Sequence, residues 1–191
     1  GTYLGGDGTE EPFGVEVDQD GSIVVSGNTW SPDFPTTNGA LQTIWGGMIS
    51  LKADRFVTRL NSTGSALVWS TYHGGSEHDT VDAMGLFPNG DVLVAGENFG
   101  ADPPATPGVF DPVFNQFDRA LIRISADGST RIFQTYFQAS HVSEIVIDDQ
   151  EDIYFAGYVL TQYHTLPATP GAFKTAMAPG DQGDGYVAKM R

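Results

Sequence analysis

Residues 54–72 read DRFVTRLNSTGSALVWSTY, and residues 118–136 read DRALIRISADGSTRIFQTY. Each stretch holds two short runs rich in β-branched, aliphatic and aromatic residues, separated by a turn that contains Gly64 or Gly128. Runs of this composition predict β-strands, and glycine supplies the positive φ that tight turns need. Each stretch is therefore predicted to form a β-hairpin that ends in Thr-Tyr.

The hairpins are part of a longer pattern that occurs three times along the chain. Its landmarks are Thr-Tyr at 2–3, 71–72 and 135–136, a glycine that closes an apolar run at Gly27, Gly96 and Gly157, a proline-containing segment at 34–41, 103–110 and 166–173, and a strand-opening aspartate at Asp54, Asp118 and Asp184. Self-similarity of this kind predicts stacked supersecondary units. We therefore predict a single segment, 1–191, made of repeats near 2–70, 71–134 and 135–191.

Each repeat holds up to four strand-like runs, and no stretch shows sustained helical periodicity. The predicted strands are 13–18, 22–28, 55–61, 66–73, 80–87, 91–97, 118–124, 130–137, 143–148, 152–158 and 185–190. Consecutive four-stranded antiparallel units are typical of β-propeller blades, with a Greek-key sandwich as the main alternative. The predicted fold is all-β, a β-propeller with about three four-stranded blades and long loops between second and third strands. Three blades do not ordinarily close a ring, so we expect an arc or part of a larger propeller.

The composition excludes several classes of partner. The formal net charge is −15, which argues against nucleic acids and anionic membrane surfaces but leaves cation binding open. No apolar run approaches the length of a membrane span, so direct membrane insertion is not expected. The chain contains no cysteine, which excludes disulfides and thiolate metal sites. Because the sequence opens inside a repeat, we expect a piece of a longer chain or a component of a larger assembly.

The strings TYLGG at 2–6, GVEVD at 14–18, DFPTT at 33–37 and DRFVTRLN at 54–61 resemble the SBBP repeat, a bacterial β-propeller repeat. The resemblance covers essentially the whole chain, although residues 136–140 lack the two glycines that follow Tyr3. It implies a propeller fold and an extracellular, periplasmic or cell-surface location in a bacterium. It implies no catalytic residues.

The favoured function is a non-catalytic scaffold that binds a protein or glycan, or an accessory or structural subunit of a larger extracytoplasmic assembly. The binding surface is predicted on the loop face, the side that carries the insertions 30–53, 99–117 and 160–183 together with the connections from each fourth strand to the next first strand. Insertions of this length are uncommon in compact domains unless they are functional. The candidate binding residues are their large aromatic side chains, Trp30, Trp45, Phe99, Phe114, Phe117 and Tyr163.

An enzyme with an acidic, possibly metal-dependent site on the loop face is the alternative. No nucleophile elbow, phosphate loop or zinc-protease motif is present, so no residue is predicted to be catalytic. Acidic residues in the connections between repeats offer oxygen ligands that suit Ca²⁺, and solvated acidic loops are the simpler interpretation. The candidate metal ligands are Asp7, Glu10, Glu11, Glu77 and Asp79.

Two further expectations concern packing. Side chains that alternate along the strands or lie in continuous apolar runs predict a core of Val15, Val17, Val24, Val57, Leu67, Leu86, Val94, Ile122, Ile132, Ile145, Ile147, Phe155 and Val187. Residues Thr2 to Leu4 resemble a fourth strand, so we expect them to lie against a third-type strand, either Gly185 to Met190 of the same chain or the equivalent strand of another copy.

Overall fold

The computed structural model describes residues 1–47, 52–115, 118–160, 168–177 and 182–191. Regular structure in these residues consists of strands alone, and each strand lies within three residues of its predicted place. The strands are β1 (Glu10–Val17), β2 (Ile23–Thr29), β3 (Asp54–Leu60), β4 (Leu67–His73), β5 (Ala83–Leu86), β6 (Val92–Glu97), β7 (Arg119–Ile124), β8 (Arg131–Phe137), β9 (His141–Ile147), β10 (Ile153–Leu160) and β11 (Gly183–Met190). The all-β prediction is therefore confirmed.

The strands form three antiparallel sheets in chain order. The first sheet contains β1 to β4, the second contains β5 to β8, and the third contains β9 to β11. Within the described residues none of the sheets closes on itself. Strand β5 packs between β1 and β9, so the first strands of the three sheets lie side by side and the sheets succeed one another face to face.

Two apolar layers join the sheets. Between the first and second sheets, Val24, Val57 and Trp69 pack with a cluster from the second sheet that includes Val94 and Ile122. Between the second and third sheets the cluster is Ala83, Phe87, Leu93, Ala95, Leu121, Phe137, Ala139, Val142, Ile145, Ile153 and Phe155. These layers bury the strand residues whose side chains point toward a neighbouring sheet.

Four residues predicted to be in the core are exposed instead. Val15, Val17 and Val187 lie on the two outermost sheet faces, where no described residue covers them. Ile132 lies at a β-bulge, because Ile124 pairs with Arg131 and Arg123 pairs with Phe133, which leaves Ile132 without a partner. The prediction was right for Val24, Val57, Val94, Ile122, Ile145 and Phe155, which are buried, whereas Leu67, Leu86 and Ile147 are half-buried.

Ile122 and Ile132 provide a matched pair for testing this core. Ile122 is 0% exposed and Ile132 is 42% exposed, although they lie on adjacent strands. We expect Ile122→Ala to lower the free energy of unfolding by about 2–4 kcal/mol, since it removes buried methyl groups and leaves a cavity. Ile132→Ala is expected to cost well under half as much. Urea unfolding of both variants measures the difference, and equal losses would contradict the assigned strand faces.

Residues Thr2 to Leu4 do not pair with Gly185 to Met190 of the same chain, so that part of the prediction was wrong. Thr2 to Gly5 instead line a cleft beside Leu60 and residues 64–67 of the first sheet. Tyr3 is fully exposed. Strand β11 pairs with β10, and no other described residue pairs with it.

The insertions follow the outer edges of the first two sheets. In the first insertion the Thr37 amide donates to the Ser70 carbonyl at 3.0 Å. The Gln42 amide donates to the Thr71 hydroxyl, and the Gln42 carbonyl accepts from that hydroxyl and from the Tyr72 amide. In the second insertion, Thr106 and Asp111 make the corresponding bonds to β8. An unpaired edge strand is a template for aggregation, and these loops cover the edges of β4 and β8.

Candidate functional site

The loop face carries a cluster of three rings where the first and second sheets meet. Trp30 follows β2, His78 lies in the connection between β4 and β5, and Phe99 follows β6. The Trp30 and His78 ring centroids are 6.2 Å apart, and those of His78 and Phe99 are 5.6 Å apart. Trp30 and His78 are half-buried and Phe99 is 47% exposed. The cluster therefore presents aromatic surface to solvent.

Backbone hydrogen bonds hold the three rings in place. The Ala53 amide donates to His78 Nδ1 at 2.9 Å, so the proton of the neutral imidazole is on Nε2. The Phe99 amide donates to the His78 carbonyl at 3.3 Å, and the Trp30 amide donates to the Thr9 carbonyl at 3.0 Å. The cluster is thus built on strand ends and on a connection anchored to the first insertion.

Charged groups lie beside the rings. Lys52 Nζ forms an ion pair with Glu77 at 2.8 Å and donates to the Ser76 carbonyl at 3.2 Å. The Ser76 amide donates to the Asp102 carboxylate at 2.9 Å. The aromatic surface therefore has neighbours that can donate and accept hydrogen bonds.

The other predicted binding aromatics are not part of this cluster. Trp45 is half-buried against Phe34 of its own insertion and against Phe56 and Tyr72 of the first sheet. Phe114 packs edge-on against Tyr136 of its own sheet, with ring centroids 5.4 Å apart. Phe117 and Tyr163 lie outside the described residues. His78, which the aromatic pattern omitted, joins the cluster because the connection carries it between the two insertions.

Three of the candidate metal ligands already make other contacts. Glu10 accepts from Thr29 and Ser31, Glu77 pairs with Lys52, and Asp79 accepts from the Gly75 amide. Asp7 and Glu11 are exposed. Among the residues whose placement the structure gives, no group of three or more His, Asp or Glu side chains is arranged to hold a metal ion.

A buried ionic cluster lies beneath the rings. Asp54, Arg55 and Asp79 are all 0% exposed. Arg55 donates to the Thr80 carbonyl at 2.8 Å, to the Glu97 carbonyl at 2.7 Å and to Asn98, and lies 3.6 Å from Asp79. Arg55 therefore connects the first sheet to the second.

Burial governs the protonation of this cluster. It raises the pKa of Asp54 to about 7, opposed by the hydrogen bond that the Gly46 amide donates at 2.7 Å and reinforced by the negative charge of Asp79. Burial also raises the pKa of Asp79, although Arg55 opposes the shift. Perturbed carboxyl groups often mark functional sites, but these two have no contact with solvent through which a substrate would arrive.

At the end of the sheets opposite the loop face, a second arginine on β3 and on β7 joins the turns of successive sheets. Arg59 contacts Asp18 and Ser22 of its own sheet and donates to the Gly90 carbonyl of the second sheet at 2.7 Å. Arg123 likewise pairs with Asp91 of its own sheet at 2.7 Å and with Glu151 of the third at 3.1 Å. Arginines on the third strands therefore link neighbouring sheets at both junctions.

Comparisons with protein-family models and with curated proteins find no match for this chain. No helix in the described residues has the length and apolar character needed to cross a membrane.

Proposed function

We propose that this chain is an arc of a β-propeller that acts as a non-catalytic binding scaffold, and that its ligand is a neutral glycan held by Trp30, His78 and Phe99. The observation that carries the proposal is the partly exposed aromatic cluster at the junction of two sheets. An extracytoplasmic location remains a prediction from the resemblance to the SBBP repeat.

The size of the cluster supports a glycan over a protein partner. A stable protein interface needs about 800 Å² from each partner, and two of the other predicted anchors, Trp45 and Phe114, pack on their own sheets. Three rings flanked by Lys52, Glu77 and Asp102 suit a smaller ligand with apolar C–H faces and hydroxyl groups. The net charge of −15 disfavours polyanionic glycans.

Ligand titrations test this proposal. Tryptophan fluorescence and saturation-transfer NMR would be measured with neutral hexasaccharides, including cellohexaose, xylohexaose, maltohexaose and chitohexaose. We expect at least one to bind. Trp30→Ala and Phe99→Ala should each raise its dissociation constant at least about tenfold, which corresponds to about 1.4 kcal/mol.

Phe110→Ala is the matched control, because Phe110 is an exposed phenylalanine on the same insertion as Phe99 but is not part of the cluster. We expect it to leave the dissociation constant unchanged. Absence of binding across the panel, or equal effects of Phe99→Ala and Phe110→Ala, would overturn the glycan proposal.

A further inference from the structure

The outermost edge and faces of the three sheets lack partners within the described residues. Strand β11 presents an edge of eight residues, whereas the corresponding strands β3 and β7 are covered by β4 and β8. Apolar side chains are exposed on both outermost faces, Val15 and Val17 on the first sheet and Val146, Tyr158 and Val187 on the third. Long unpaired edges and apolar sheet faces are normally covered in a soluble protein.

We propose that a second copy of this chain covers them, in a head-to-tail arrangement. Residues Thr2 to Leu4 of the second copy add a fourth strand to β11. The exposed face of its first sheet packs on the exposed face of the third sheet. This inference rests on the propeller-like succession of sheets and does not depend on the glycan ligand.

The strand register of the first two sheets identifies Thr2 to Leu4 as the segment that fits β11. In the outer strands, Thr71 pairs with Val57 and Thr135 with Leu121, three residues after Asp54 and Asp118. The residue three positions after Asp184 is Val187. The same register therefore places Thr2 opposite Val187 and Tyr3 opposite Tyr186, and it would cover the ring of Tyr3, which is now fully exposed.

The spacing along the chain matches a passage from one sheet to the next. His73 ends β4 and Ala83 begins β5, ten residues later, in the next sheet. Leu4 follows Thr2 by two residues as His73 follows Thr71, and Gly14 precedes Asp18 by four residues as Ala83 precedes Phe87. The corresponding interval, Leu4 to Gly14, is therefore also ten residues. The segment between them is therefore long enough to run from the outer strand of one copy's third sheet to the first strand of the next copy's first sheet.

The charges at the two ends are complementary. Arg59 and Arg123 each reach from their own turn to the turn of the following sheet. Lys189 holds the same place on β11 and pairs with its own turn at Asp152, and the exposed Arg191 lies beside it. The following turn in the proposed assembly is residues 18–22 of the second copy, which contain the exposed Asp20.

The contact between the first strands can be assigned to particular residues. At the existing junction Gly85 packs so closely on Ile145 that a Cβ there would lie 2.7 Å from Ile145 Cγ2. Phe87, Asp148 and Asp18 are equivalent, because the amide of each donates to the carbonyl of the residue four positions later in its turn. Gly85 lies two residues before Phe87, and Val146 lies two residues before Asp148. Ile145 lies three residues before Asp148, as Val15 lies three before Asp18. Val146 of one copy is therefore expected to face Val15 of the other.

Head-to-tail contacts form a closed ring when the rotation between copies closes, and two copies would give six sheets, within the usual range for propellers. Sedimentation velocity and light scattering over a concentration series test this assembly. We expect a species of twice 20.4 kDa for the unmodified chain. A chain of 20.4 kDa at every concentration, as would be found if further sheets of a longer chain were the natural occupants, would overturn the proposal.

Two exposed-site variants separate head-to-tail contact, which joins the third sheet of one copy to the first sheet of the other, from contact between two like faces. Val15→Asp and Val146→Lys should each shift the mass to that of one chain, while circular dichroism stays unchanged. Mixing the two variants should restore the dimer, because one interface then joins Asp to Lys and the other is unmodified. Deletion of residues 1–4 should weaken dimerisation at least about tenfold. Failure of the mixture to dimerise, or dimerisation unaffected by either substitution, would overturn the head-to-tail arrangement.

Discussion

Replacement of Arg55 by methionine is expected to lower the free energy of unfolding by about 3–5 kcal/mol, the usual loss when one partner of a buried ion pair is removed. The Arg55 side chain is fully buried. Methionine retains much of its apolar length but removes the donors to the Thr80 and Glu97 carbonyls and to Asn98. Asp79 also loses its cation. Chemical denaturation monitored by fluorescence measures the loss.

Two controls identify the source of this effect. Arg191→Met removes the same charge from a side chain that is 79% exposed, and we expect a change within about 0.5 kcal/mol. The double variant Arg55→Met with Asp79→Asn should lose less than the sum of the single variants, with a coupling of at least about 1 kcal/mol. Equal stability of Arg55→Met and Arg191→Met would show that Arg55 does not join the two sheets.

The strand pattern was predictable because local sequence determines it. Alternating apolar residues mark β1, and turn glycines mark the hairpins, with Gly21, Gly64, Gly90 and Gly128 all at positive φ. The third repeat lacks that glycine, and Glu151 takes the same backbone conformation at φ 62°. The Glu151 side chain forms the ion pair with Arg123. The turn was therefore predictable in position, while the residue that adopts positive φ was not.

Burial was less predictable, because alternation shows which residues share a face but not which face is covered. Val24 and Val15 lie on neighbouring strands of the first sheet, yet Val24 faces the second sheet and Val15 faces outward. Ile132 follows the apolar pattern of its strand, but the bulge that exposes it depends on the pairing of β7 with β8. These outcomes depend on contacts between sheets and strands, which the local pattern does not contain.

The candidate site was predictable only in part. Trp30 and Phe99 were identified as large aromatics in long insertions, whereas His78 became a neighbour of both through the packing of the connection. Arg55 was not among the candidate residues, because the aromatic and acidic patterns that define those candidates do not include an arginine. A signal was present in the sequence, since an arginine follows the strand-opening aspartate at both Arg55 and Arg119. Arg119 reaches Asp82 at 2.6 Å and the Ser140 carbonyl of the next sheet connection.

The pH dependence of stability should reveal Asp54. Its pKa rises from 3.8 to about 7 in the folded chain, because burial disfavours the carboxylate. The folded state then binds more protons than the unfolded state between these two values. The contribution of Asp54 to the free energy of unfolding is fully present below about pH 4 and is lost as the pH rises through about 7. The total loss is up to about 4 kcal/mol.

Asp54→Asn isolates this contribution. Asparagine keeps an oxygen that can accept from the Gly46 amide but does not ionise, so its burial carries no charge penalty. We expect the variant to match the unmodified chain near pH 4 and to exceed it in stability by a few kcal/mol at pH 8. Asp149→Asn, at an exposed turn, removes the same formal charge and should show no such pH-dependent gain. Urea unfolding at intervals from pH 4 to 8 gives the comparison. A difference between Asp54→Asn and the unmodified chain that stays constant across this range would contradict the raised pKa of Asp54, because only a group that titrates differently in the folded and unfolded states produces a slope.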